Sequence, residues 1–155
     1  MGSHSKTDLA YIAGFLDGDG SLMVQIKSRG DNGRSRFMLT ICFYQDSRHD
    51  KPLAWIRKIL GIGYLSKRKD NITELRINGY KQAENILKLL YPYIKFKKIQ
   101  ARTILKAAKL LQKKNLLKSD YEKLVDYILL VQAENYVTKK KKTKKELLKV
   151  LELTP

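Results

Sequence analysis

The sequence holds one cysteine, Cys42, in 155 residues. That excludes a disulfide within the chain and suits a reducing compartment. No apolar run approaches the roughly 20 residues that a bilayer-spanning helix needs, so no membrane partner is expected. No secretory or transit signal follows the opening MGSHS, which has the composition of an appended tag and is set apart from the fold. Acidic residues are scarce as well. Fifteen Asp and Glu stand against thirty-two Lys and Arg, for a formal net charge of +17. A small domain stays soluble with far less. An excess of this size draws polyanions, of which nucleic acid is the usual one. A solvated lysine-rich surface would carry the same charge without a partner, and charge alone does not separate DNA from RNA.

What is present, at 43% apolar residues, suffices for one packed domain. Thr7–Asp8 offer a cap for a helix through Leu9, Ile12, Ala13 and Leu16 that ends near Gly18. After Gly20 the period changes to two, with Leu22, Val24 and Ile26 alternating with Ser21, Met23, Gln25, Lys27 and Arg29. Gly30–Gly33 spell a turn. Phe37, Leu39, Ile41 and Phe43 then share one face, and Arg36, Met38, Thr40, Cys42 and Tyr44 the other. Pro52–Leu60 reads as a short amphipathic helix stopped by Gly61. A second hairpin turns at Lys69–Asn71, with Leu65, Leu75 and Ile77 inward and Ser66, Arg68, Glu74 and Arg76 outward. Helical spacing returns over Tyr80–Leu90, Lys98–Lys113 and Asp120–Val137. The run TKKKKTKK, Thr138–Lys145, precedes a short helix at Glu146–Leu153.

The expected fold is therefore α+β, with one antiparallel sheet backed by helices on its apolar face. Residues 7–137 form the expected domain, 1–6 the leading tag and 138–155 a basic segment with its short helix. The polar sheet face carries Gln25, Lys27, Arg29, Arg36, Thr40, Tyr44, Ser66, Arg68 and Arg76. An antiparallel sheet can leave such a face to water. The mix also suits base edges, with arginine for guanine, glutamine for adenine, and threonine or methionine against thymine methyls.

One stretch resists both composition and periodicity. Ile12–Ser21 reads IAGFLDGDGS. Gly14 and Gly18 lie on one side of the first helix, where each costs about 1 kcal/mol against alanine. Their missing side chains let another backbone close in, from a second chain or from a strand of the same one. Asp17 and Asp19 stand at the helix end, and Gly20 lets the chain turn into the strand. An EF-hand is excluded: counting from Asp17, loop positions six and twelve are Leu22 and Ser28, not glycine and glutamate. Two carboxylates that tie down backbone amides are the plain alternative.

IAGFLDGDG resembles the motif of the LAGLIDADG homing endonucleases, and it stands directly before a hairpin. Gln45 after the second strand, GIGY at the third and the segment YPYIKFKKIQA extend the similarity from about Asp8 to Val137. A single motif copy resembles the homodimeric branch, since single-chain members carry two. The resemblance implies αββαββα order with a saddle-shaped sheet. It implies a site-specific, intron-encoded endonuclease that makes a double-strand break in a long, near-palindromic DNA site. Two motif helices would pack at a two-fold axis through Gly14 and Gly18, with Asp17 tightening the helix end and the interface. Asp19 and the Gly18 carbonyl would hold Mg²⁺, as divalent ions shared between two subunits. Gln45 and Lys97 match the family's polar pocket, Lys97 polarising phosphate or orienting water. His49 falls where some relatives have arginine, which leaves its role divided with Arg48.

The hairpins would lie along the major groove. The implied DNA contacts are Gln25, Lys27, Arg29, Arg36, Met38, Thr40, Cys42, Tyr44, Ser66, Arg68, Glu74 and Arg76, with Lys139 and Lys142 on flanking phosphates. An RNA-binding intron maturase, a DNA-binding protein of the same fold that has lost catalysis, and a structural RNA-binding protein are the alternatives. The first two keep the fold; the third leaves IAGFLDGDG unexplained. The lysine- and isoleucine-rich composition suits an intracellular setting, in a chloroplast or mitochondrion or in archaeal cytoplasm.

Overall fold

The structure is a computed structural model that describes residues 4–28, 35–135 and 141–152. Helix α1 (Lys6–Asp19) runs into strand β1 (Gly20–Ser28), which forms a hairpin with β2 (Ser35–Asp46). Helix α2 (Lys51–Leu60) leads to the hairpin of β3 (Tyr64–Lys67) and β4 (Ile72–Asn78). Helices α3 (Tyr80–Leu90), α4 (Lys98–Leu111), α5 (Lys118–Glu134) and α6 (Lys144–Val150) complete the chain. The four strands form one antiparallel sheet in the order β1-β2-β4-β3.

The strands exist because apolar residues recur at every second position, and the pairing keeps each set on one side. Leu22, Val24, Leu39, Ile41, Phe43, Leu75 and Ile77 are all buried and face the helical layer. Against them lie Ile12 and Leu16 of α1, Leu87 and Leu90 of α3, and Ile104 of α4. Each such side chain taken from water contributes roughly 1.5–3 kcal/mol. Helix α2 stops where predicted, at Gly61, whose φ of 70° is the left-handed C-cap geometry that glycine adopts without strain. Leu65 corrects one expectation: it faces the same side as its partner Leu75 but is 38% exposed. Its strand is a four-residue sheet edge that the helices cover only in part.

Several boundaries also differ, each because a capping group acts from an unexpected position. Helix α1 begins at Lys6, and its cap is Ser5, whose Oγ accepts from the Asp8 amide at 3.4 Å. Ser5 belongs to the stretch set apart as a tag, so that stretch contributes to the fold. Helix α4 ends at Leu111. Helix α5 begins at Lys118 and not at Asp120, because Asp120 reaches back to accept from the Leu117 amide at 2.9 Å. Helix α6 begins at Lys144, capped by Thr143 and Glu146 in a reciprocal pair.

Candidate active site and nucleic-acid face

The end of α1 sorts its two aspartates by geometry. Residues two apart on a helix point about 200° apart, so one carboxylate turns inward while the other stays out. Asp17 is buried. Its Oδ2 accepts from the amides of Lys95 (2.6 Å) and Phe96 (3.2 Å), and its Oδ1 from that of Lys97 (3.1 Å). The Asp17 carbonyl accepts from Lys97 Nζ at 2.6 Å. A cation at the last carbonyls of a helix is where the helix dipole favours it. Burial pushes the Lys97 ammonium below its ordinary value, while the charges of Asp17 and Asp19 work against that shift. The Asp17 carboxylate is thus engaged within the chain, where it ties the end of α1 to the segment that carries Lys97.

Asp19 remains exposed. Gly20 follows it in extended backbone, and a side chain there would come within 2.8 Å of the Leu16 carbonyl oxygen. Beside Asp19 opens a groove of about 520 Å³ whose lining includes Gly18, Lys97, Ser21, Tyr44 and Arg68. The structure therefore brings Gly18, Asp19 and Lys97 together at one end of the polar sheet face. Gln45 and His49 are not part of that lining. Gln45 lies on β2 past the start of β1, and its Oε1 accepts from the Asp46 amide at 2.9 Å. His49 sits exposed in a 3-10 turn, Ser47–His49, beside Arg48. The Arg48 guanidinium is committed to Asp46 through two bonds of 3.0 and 2.8 Å, which hold the Asp46 carboxyl well below the usual carboxylate range.

The polar face itself has depth that alternation does not reveal. Gln25, Lys27, Arg36, Met38, Tyr44, Ser66, Arg68 and Arg76 share it, Gln25 opposite Met38 and Lys27 opposite Arg36. Thr40, Cys42 and Glu74 also lie on this face but are buried, and as direct base contacts they are corrected. Thr40 donates its hydroxyl proton to Asn78 Oδ1 at 2.8 Å. Cys42 is fully buried, and loss of solvent pushes its thiol up. Tyr44 shares a hydrogen bond with the Ser21 hydroxyl at 2.8 Å, and burial pushes its phenol up to about 12. Glu74 is held between Arg68 and Arg76, each 3.1 Å from one of its oxygens. Glu74 thereby braces the exposed Arg68 and the half-buried Arg76 from beneath. Lys142 donates its amide to Gln132 Oε1 at 2.9 Å on the exposed side of α5. Arg29 and Lys139 lie outside the described residues.

Gly14 and Gly18 are exposed, and a side-chain carbon added at either would meet no atom within 4 Å. Close packing against any described strand of the same chain is thereby excluded as their explanation. With Ala10 and Tyr11 (60% exposed) they leave one flank of α1 open. Among the described residues no three His, Cys, Asp or Glu side chains cluster as a self-contained metal site. Gln100, Glu134 and Asn135 also line the groove, and sequence patterning did not single them out. The one available signal was Gln100, a polar residue on the apolar stripe that carries Ile104 and Ala107.

Residues 12–108 match the LAGLIDADG endonuclease family. The chain is 37% identical over 109 residues to DNA endonuclease I-CvuI of Chlorella vulgaris, covering 68% of this chain and 66% of that protein. It is 32% identical over 104 residues to DNA endonuclease I-CreI of Chlamydomonas reinhardtii, covering 66% and 63%. Each match spans just under two thirds of the relative's length. The crystal structure of I-CvuI on its DNA target in the presence of calcium superposes with a TM-score of 0.81 at 28% identity, over 95% of this chain and 94% of that one. The family match takes in IAGFLDGDG and both hairpins, the fold superposes along nearly the whole chain, and the chain belongs to the LAGLIDADG endonuclease family.

Proposed function

We propose that the chain is a site-specific homing endonuclease, intron-encoded, that acts as a homodimer and cuts both strands of a long, near-palindromic DNA site. The observation that carries this is the exposed Asp19 at the tip of a helix whose glycine flank has no partner among the described residues, with Lys97 fastened beside it. One carboxylate is a poor metal site. Two copies of α1 packed through Gly14 and Gly18 would bring two Asp19 carboxylates and two Gly18 carbonyls to one axis. That donor set fits Mg²⁺, which takes one or two carboxylates and keeps waters and phosphate oxygens as its other ligands. When bound, such an ion supplies Lewis acidity and a more acidic water. I-CvuI has been solved on DNA with magnesium and with calcium, which supports a divalent ion here.

Within each protomer, Asp17 holds Lys97 by the backbone, and the Lys97 ammonium faces the groove beside Asp19. There it orients water or polarises the scissile phosphate. Gln45 and His49 flank the site from the end of β2 and complete a polar surround when DNA is seated. The arginines and Gln25 read base edges in the major groove, while Lys142 and its neighbours hold phosphates without sequence preference. Among the described residues no helix is long and apolar enough to cross a membrane. An organelle or archaeal cytoplasm is the setting that goes with an intron-encoded nuclease. The test is cleavage of a library of long, near-palindromic DNA sites with Mg²⁺ and with EDTA, beside Asp19→Asn. Metal-dependent double-strand cutting by the parent alone is expected. Equal cutting by Asp19→Asn would overturn the assignment.

A further inference from the structure

Gln100 occupies the first turn of α4, three residues after Lys97, and is almost wholly buried. Its amide has one fixed orientation. Nε2 faces two acceptors, the Glu134 carbonyl and Asn135 Oδ1, each at 3.4 Å. Turning the amide over would set its oxygen against two other oxygens, so Oε1 is held on the opposite side. There, buried, it has no hydrogen-bond partner among the described residues. Asn135 is itself braced, donating from Nδ2 to the Leu22 carbonyl at 3.0 Å. The Gln100 amide is thus fastened through the end of α5 to strand β1, and its residue lines the groove with Asp19 and Lys97.

An unpaired buried acceptor weakens the fold, and methionine would fill the same space on this apolar stripe without that penalty. A neutral amide oxygen attracts a hydrogen-bond donor and repels a phosphate oxygen. The ammonium of Lys97 carries three donors, of which one is on the Asp17 carbonyl. Oε1 has no accessible surface as the side chains stand, so a small shift of its neighbours would admit a water that gives a proton to Oε1, accepts from Lys97, and keeps a lone pair for the groove.

We propose that Gln100 is a positioning residue of the cleavage site, presenting Oε1 to a water held between Lys97 and Asp19. This rests on the nuclease function proposed above. The experiment compares the parent with Gln100→Met and Asn135→Leu on a library site that the parent cuts. Binding is measured with Ca²⁺, single-turnover cleavage with Mg²⁺ at saturating protein, and folding by melting temperature. Gln100→Met is expected to bind within about threefold of the parent and to cut roughly 10–100-fold more slowly, the range typical of groups that orient others at a reactive centre. Asn135→Leu removes the brace but leaves Oε1, and is expected to act mainly on melting temperature and binding. Where the methionine variant does not fold, Gln100→Asn, with the amide retracted by one methylene, carries the same expectation. Cleavage by the folded variant at the parental rate overturns the proposal. So does a loss matched by weaker binding and lower melting and repeated by Asn135→Leu, which would make the amide a brace alone. A parent that binds DNA and cuts no library member removes the nuclease function and this proposal together.

Discussion

At the scale of single residues, the two aspartates of the motif differ in everything but chemistry. Asp17 spends its carboxylate on three backbone amides of residues 95–97, while Asp19 keeps its carboxylate exposed. Asp17→Ala would strand those amides and loosen the segment that carries Lys97, leaving its ammonium only the carbonyl of residue 17. A loss on the order of 3 kcal/mol follows from charge-assisted bonds of this kind, or about 10 °C in melting temperature for a domain of this size. Cleavage should fall with it. Thermal unfolding and single-turnover cleavage on one preparation check both, and a variant that melts like the parent would show the anchor to be dispensable. The motif was legible in the sequence as glycines and carboxylates at the end of a helix. The destination of Asp17 was not, because its partners lie about eighty positions along the chain, and no periodicity reports a contact of that range. Gln100 was hidden for the same reason, since Asn135 and Leu22 come to it only through the fold.

At the scale of elements, period-two and period-3.6 patterns placed every strand and most helices, because burial of one face is what forms them. Boundaries were less legible where a cap acts from inside the helix. Asp120 shows this: it binds Lys113 Nζ at 2.8 Å and the Leu117 amide, joining the end of α4 to the start of α5. The Lys113 bond, then the Leu117 amide, hold its carboxyl below the usual range. A carboxyl lowered by folding adds stability that is present above its ordinary pKa and is lost as pH falls through the lowered value. The melting temperature should therefore drop in acid, and the gap between parent and Asp120→Asn should narrow with it. Melting curves from pH 7 down to pH 2 measure that gap, and a constant gap would remove Asp120 from the account. Alternation likewise gives the face of a strand residue but not its depth, which is why Thr40, Cys42 and Glu74 fell on the polar face yet lie buried.

For the whole molecule, the open flank of α1 is the feature that a single protomer leaves unexplained. Gly18→Val adds a side chain whose Cβ would meet no atom of the described residues within 4 Å. The folded protomer should tolerate it, with a melting temperature within a few degrees of the parent, since an exposed glycine in a helix is replaced at little cost. The proposed dimer should not. Sedimentation at micromolar concentration is expected to show the parent as a dimer and the variant as a monomer, with cleavage lost. A dimeric Gly18→Val would move the interface elsewhere.

The clamp of Glu74 on Arg68 and Arg76 carries a consequence for retargeting. Exchanging one guanidinium alone removes part of the charge that neutralises Glu74, and Arg68 is tied to Asp70 at 2.7 Å as well. Changes at these three positions should be non-additive. Under the proposed function, the recognition alphabet of this face would be written in groups: a new DNA preference here is expected from substituting the trio together, and single substitutions are expected to weaken the old preference without creating a new one.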